Sequence, residues 1–321
     1  MNWLRPSSSA NRRLSPWLLG IVLALVVFMF LWPETGVDML VTYGPAGRGA
    51  YIEGLLPRNP RFALWFFWLF ARLPWKWDYL ALTLSSVAVL VAATRWGGGD
   101  YWKVFLSFPF VWLLGYGQID AYIAAGLALA WWALERERYE IMGIGLSFAC
   151  MLKPQVGIFA ALCLWLWARN KWKPLIIPAA LVLISLLQWG WDWPIRWLRA
   201  ALQQVNTLEA DWANASPVPW LGWWTWLVWL PVLLVPMERL ARLRSVIAAT
   251  ALTLPYFPAY QFLILLPFPV SRVEWLLSNL PFLGGKGYAA TALLPALVIL
   301  VSVWPWAAEK ARRSCASRPL R

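Results

Sequence analysis

The chain contains no histidine. Its absence excludes Ser-His-Asp and Cys-His catalysis and any histidine-ligated metal. Cysteine is nearly missing too. Cys150, Cys163 and Cys315 stand far apart, and two of them lie in apolar runs, where cysteine serves as a small buried hydrophobe. Neither a disulfide framework nor a zinc site is expected. Charge is scarce: 13% of residues, against about 25% in a soluble domain. No internal repeat and no coiled-coil heptad is present. The Gly-rich "WGGGD" at 96–100 lacks the lysine and hydroxyl of a phosphate-binding loop and reads as a turn.

What fills the space is apolar. Hydrophobic residues make up 61% of the chain. Uncharged runs recur at 14–33, 79–94, 104–119, 121–134, 154–168, 174–191, 212–237, 245–271 and 287–308. About 20 apolar residues cross a bilayer as a helix, whereas a membrane β-barrel shows short alternating segments. The expectation is an all-α polytopic membrane protein. Spans fall near 16–32, 78–95, 104–117, 120–134, 141–153, 156–168, 174–190, 221–236, 244–256, 259–270, 273–283 and 288–306, giving about 10–12 transmembrane helices in one domain, 1–321. Several of these are too short to cross about 30 Å alone. The first stretch is long for a signal peptide, and "LWPETG" offers no small-residue cleavage site. It reads as a retained span.

Lys and Arg cluster at both ends and in three short loops: Arg136/Arg138, Arg169/Lys171/Lys173 and Arg239/Arg242/Arg244. Such loops stay cytoplasmic. The termini, 1–15 and the basic tail 307–321, are therefore placed in the cytoplasm, with 33–61 and 191–219 as the first and second outer loops. The acidic residues of the cytoplasmic loops, Asp100 among them, are expected to be solvated. A net charge of +13 could suit nucleic acid, but the basic residues are scattered over loops rather than gathered on one face, so no nucleic-acid partner is expected. The 28 tryptophans concentrate at span ends, as interfacial anchors do.

Polar residues interrupt the apolar runs at one depth, on the outer side. Asp38 follows span 1, Gln118 and Asp120 tip one hairpin, and Lys153 and Gln155 tip the next. "YFPAYQ" (256–261), with Tyr256 and Gln261, breaks another run. Polar groups at such depth line interior cavities. A lysine beside lipid can hold a phosphate as a point charge, and a carboxylate across the cavity can deprotonate a hydroxyl. Together these roles describe transfer of a sugar from a lipid phosphate to an alcohol.

The order of these stretches carries a family resemblance. Span 1 is followed by "GVDMLVTYGPAGRGAYIEG", "NPRFALWFFWLFARLP", "GQID", "LKPQ" and "LPYFPAYQFLILLP". The sequence resembles the integral-membrane GT-C glycosyltransferases, in particular glycosyltransferase family 87, the polyprenol-phosphate-mannose-dependent mannosyltransferases. The resemblance implies a GT-C-like fold, a lipid-phosphate donor, an inverting transfer and a catalytic aspartate just after span 1, which points to Asp38. It also implies donor-site or cavity roles for Tyr43, Gln118 and Lys153–Pro154.

The expected function is transfer of a hexose such as mannose from a polyprenyl-phosphate donor to a lipid or glycan hydroxyl, on the outer face of the plasma membrane. Asp38 is the general base. Lys153 is the donor-phosphate group, with Arg48 a further candidate in the first loop. Tyr43, Gln118, Asp120, Gln155, Tyr256 and Gln261 line the cavity. No cofactor and no required metal are expected, although Asp38 with Asp120 could hold an ion. Two rivals remain: a transporter or lipid flippase using the same cavity, and a non-catalytic membrane subunit.

Overall fold

A computed structural model describes residues 14–50, 59–209 and 213–316, with side chains described at these positions except 204–209, 286 and 310–316. Most of the N-terminal segment, residues 51–58 of the first outer loop, 210–212 of the second and the end of the tail lie outside the described residues. The fold is 77% helical, with no strands among the described residues. One isolated antiparallel bridge joins Asn214 to Pro258.

The main helices, in chain order, are α1 (Pro16–Leu31), α2 (Trp75–Gly97), α3 (Phe108–Tyr116), α4 (Asp120–Leu134), α5 (Tyr139–Met151), α6 (Pro154–Trp167), α7 (Ile176–Trp189), α8 (Trp193–Glu209), α9 (Arg239–Thr253) and α10 (Leu293–Ala316). Between α1 and α2 lie a π-helical turn, Met39–Tyr43, a short helix, Gly44–Gly47, and a two-turn helix, Ala63–Leu69. A 3₁₀ segment, Ala259–Leu265, follows α9.

By length and composition, two helices among the described residues can cross a bilayer alone: α2, and the segment Gly287–Glu309 overlapping α10. A third span results if Lys173–Trp189 and Trp193–Gln203, bent by 92° at their junction, count as one. Pro16–Leu31, Asp120–Leu134, Tyr139–Met151, Pro154–Trp167 and Val218–Leu234 are apolar but shorter. The spans expected at 259–270 and 273–283 are instead the 3₁₀ segment and a seven-residue helix, Arg272–Ser278. Prolines explain this: Pro255, Pro258, Pro267 and Pro269 remove backbone donors along an otherwise apolar stretch.

α4 is the central element and is buried along almost its whole length. It packs against α2, α5, α6 and the 3₁₀ segment. Small residues allow the approach. A Cβ on Gly126 of α4 would stand 2.7 Å from the Gly145 carbonyl oxygen of α5, and one on Gly145 would stand 2.6 Å from that of Gly126. Apolar helices in lipid associate through such close backbone contact, because burial from water supplies no drive there. The periphery is the reverse. Trp17, Phe28 and Leu31 of α1, Leu183 and Leu187 of α7, and Trp223 and Trp224 are large apolar side chains facing outward. Apolar surface on that scale fits lipid as the surrounding solvent. The protein is a membrane protein.

Two charged groups expected in solvated loops are inside. Asp100 is buried, with its carboxylate 2.9 Å from Lys103 Nζ, which also donates to the Val270 carbonyl. Arg244 is part of α9, and its guanidinium donates to Glu274 Oε1 at 2.5 Å. Glu274 also closes a capping box with Ser271. Lys103 is drawn inside by the Val270 carbonyl, 167 residues on, and Arg244 by Glu274, 30 residues on, so loop composition could not reveal either burial.

Candidate active site

The lysine in "MLKPQ" owes its position to the proline behind it. Pro154 disfavours the helical conformation at Lys153, which adopts φ −140° and ψ 80°. α5 therefore ends at Met151, and α6 restarts with Pro154 at its first position, where a missing N–H costs nothing. Lys153 sits in the break, only 5% exposed.

A second break lies beside it. Gly117, at φ 70°, caps α3 in the left-handed region, and α4 begins at Asp120. Gln118 and Asp120 thus flank a sharp turn. The segment carrying Asp38 is fastened to that turn. Gly36 N donates to the Gly115 carbonyl at 2.7 Å, and the Tyr79 hydroxyl to the Leu114 carbonyl at 2.7 Å. Gly36, at φ 75°, lies against the Tyr79 ring so closely that a Cβ would stand 2.8 Å from it. A side chain there would lift the Asp38 segment away.

Through these constraints, residues 38, 43, 118, 120 and 153 form one bonded cluster. Gln118 is its hub. Its Nε2 donates to Asp38 Oδ2. Its Oε1 accepts from the Tyr43 hydroxyl at 3.0 Å and from Lys153 Nζ at 2.9 Å. The partners fix the amide's orientation, since the reverse would set an NH₂ against the ammonium and an oxygen against the carboxylate. Lys153 Nζ also donates to Asp120 Oδ2 at 2.8 Å. Asp120 is fully buried, and Asp38 is half-buried. The Tyr43 ring stacks on Phe67 with centroids 4.6 Å apart.

Three buried oxygens near these breaks have no hydrogen-bond partner: Asp120 Oδ1, Gln155 Oε1 and Gln261 Oε1. A buried acceptor left unpaired costs about 1–3 kcal/mol. An arrangement that retains three of them is suited to a ligand carrying hydroxyl donors. Tyr256 is half-buried on the segment leading into the 3₁₀ turn. Arg48 does not join the cluster. Its guanidinium, 44% exposed, lies 3.5 Å from Asp78 Oδ2, while Asp78 Oδ1 accepts from the backbone N–H groups of Arg72 and Leu73. Among the described residues no group of three or more Cys, Asp or Glu side chains is placed to hold a metal.

Sequence reasoning missed Tyr260. Its ring stands 5.2 Å from Lys153 Nζ, a cation–π distance, and faces the same cluster. Its position inside the proline-broken "YFPAYQ" was the available signal. Two clefts, of about 450 and 850 Å³, lie away from the cluster: the first borders Arg244 and Glu274, the second Arg95 and Arg136.

A half-buried carboxylate, held by an amide that is itself held by an ammonium, can accept a proton from a hydroxyl while positive charge stays close by. A family model described as glycosyltransferase family 87 matches residues 59–258. That range takes in Gln118, Asp120 and Lys153 and begins after Asp38. No curated protein and no solved structure matches the chain.

Proposed function

This chain belongs to glycosyltransferase family 87, and we propose that it moves a hexose, mannose first, from a polyprenyl-phosphate donor to a lipid or glycan hydroxyl on the outer face of the plasma membrane. In this reading the Asp38 end of the bundle faces outward, and both termini lie in the cytoplasm. The observation that carries it is the Gln118 bridge. One amide, 80 residues after Asp38 and 35 before Lys153, joins the carboxylate after the first helix to the ammonium between α5 and α6.

The acceptor hydroxyl attacks the anomeric carbon of the donor. Its proton passes to Asp38 as the carbon–oxygen bond forms, and the bond from that carbon to the phosphate oxygen breaks. The lipid phosphate departs carrying the electron pair. Lys153 has three N–H donors and spends two, on Gln118 and Asp120. The third is directed to the departing phosphate, where added charge is greatest in the transition state. Arg48, exposed beside Asp78 and outside the bonded cluster, meets the donor phosphate on its approach and not in the transfer step. A single displacement inverts the anomeric centre. The unpaired oxygens of Asp120, Gln155 and Gln261 accept sugar hydroxyls, with Tyr256 beside them, and Tyr43 holds the Gln118 amide in register.

The test is direct. The full chain is reconstituted in lipid vesicles with polyprenyl-phosphate mannose or its glucose counterpart and candidate acceptor lipids, and release of polyprenyl phosphate is followed. Asp38→Asn is expected to lower turnover by roughly 10²–10⁴ while donor binding persists. Turnover at the unsubstituted rate would remove Asp38 from the mechanism. Movement of lipid across the membrane with no new glycosidic bond would favour a flippase.

A further inference from the structure

The 850 Å³ cleft lies at the far end of the bundle from Asp38. α4 starts at Asp120 in the bonded cluster, and Arg136 stands 16 residues later, a rise of about 24 Å at 1.5 Å per residue. α2 runs the same way, from Asp78 to Arg95. The cleft opens between these two helix ends. Arg95 and Arg136 line it, both exposed, with Trp131 and Trp132 between them. Ala88 and Val91, one to two turns back along α2, form an apolar wall.

Neither arginine is spent on an ion pair. Among the described residues, neither lies within ion-pair distance of a carboxylate. The acidic neighbours are engaged or excluded. Asp100 is paired with Lys103 and Glu137 with Arg169, and Glu135 does not line the cleft. Capping does not explain Arg95 either, because the Thr94 carbonyl already accepts from Gly98 N at 3.0 Å and Gly99 N at 3.2 Å. The Arg136 guanidinium lies 4.6 Å from the Trp132 ring centroid, and its Nη1 donates to the Trp132 carbonyl at 3.3 Å, which holds it at the cleft with four of its five N–H donors still to place. Arg138 approaches the same ring at 5.5 Å.

We propose that this cleft binds the headgroup of an anionic phospholipid, the phosphodiester lying between Arg95 and Arg136 and the start of the acyl chains against Ala88 and Val91. Two guanidinium groups supply planar forks of donors matched to phosphate oxygens. The indoles supply the amphipathic wall that suits the headgroup level of a membrane. The apolar side distinguishes a lipid from a free phosphate: a soluble anion would use the arginines and leave the Ala88–Val91 wall empty. The site is separate from the proposed chemistry and stands whether or not sugar transfer is found.

Native mass spectrometry of the full chain, delipidated in detergent and titrated with dioleoylphosphatidylglycerol, tests the assignment. One lipid is expected to bind more tightly than dioleoylphosphatidylcholine, and Arg95→Gln/Arg136→Gln is expected to weaken it at least tenfold. Arg169→Gln/Lys171→Gln removes the same charge from another loop and leaves binding intact. Ala88→Phe, at an exposed position, keeps both arginines but fills the wall and is expected to displace the lipid, so the test survives poor folding of the double variant. The proposal fails if the phosphatidylcholine binds equally well, if the control variant weakens binding as much, if Ala88→Phe binds as before, or if glycerol phosphate competes at concentrations similar to the lipid.

Discussion

Replacing Lys153 by methionine removes an ammonium from a site where its partner cannot escape. Asp120 is fully buried, and one of its oxygens already lacks a partner. Without the lysine the carboxylate is left with neither water nor a cation. Breaking a buried pair from one side costs about 3–5 kcal/mol. For a chain this long, about 2 °C of melting temperature accompanies each kcal/mol, so a loss of roughly 6–10 °C is expected. Removing both partners is different. In Asp120→Leu/Lys153→Met, Gln118 Oε1 still accepts from Tyr43, and no buried charge remains. The cost then falls to about 0.3–1 kcal/mol for the lost acid at the α4 N-terminus, and most of the melting temperature should return. The assay is thermal unfolding in detergent, followed by intrinsic fluorescence, with Arg169→Gln as an exposed control that hardly moves the midpoint. A single variant that melts with the unsubstituted protein, or a double variant no more stable than the single, would refute the reasoning about the pair. The stable double variant also isolates function: it should bind polyprenyl-phosphate donor poorly and turn over little, and full activity would show that the lysine acts only in folding.

Tyr43→Phe deletes one donor to Gln118 but keeps the ring on Phe67. A stability loss of about 0.5–1.5 kcal/mol is expected from unfolding midpoints, with a modest drop in turnover, and no change in either would mean that the amide needs no such brace. Arg244→Met strands Glu274, which is 1% exposed, and should cost about 3–5 kcal/mol by thermal unfolding while leaving donor binding by surviving protein intact. Gly145→Val drives a branched side chain into the Gly126 backbone and should cost about 1–3 kcal/mol or more, measured as a lowered melting temperature and yield of folded protein. Unchanged melting in either case would contradict the packing described.

The apolar runs, the scarcity of charge and the missing histidine determined, by themselves, that this is an all-α membrane protein without histidine chemistry. The Pro behind Lys153 and the Gly before Gln118 also made the helix breaks legible, since proline and glycine act on the backbone locally. Other features depended on which distant segments meet. The sequence suggested Lys153 as a phosphate ligand; only the fold engages it with Asp120 and Gln118, and only the fold sends Arg48 to Asp78. Tyr260 acquires meaning from a lysine more than a hundred residues earlier. Helix length escaped the sequence for the same reason. A hydropathy run records that a stretch tolerates lipid or a protein interior, not which of the two it meets, so the short apolar pieces at 259–270 and 273–283 read as spans when the first is a buried 3₁₀ segment and the second holds a seven-residue helix. Composition is local and survives in one dimension; a hydrogen bond between residues 38 and 118 exists only where tertiary packing brings them to one place.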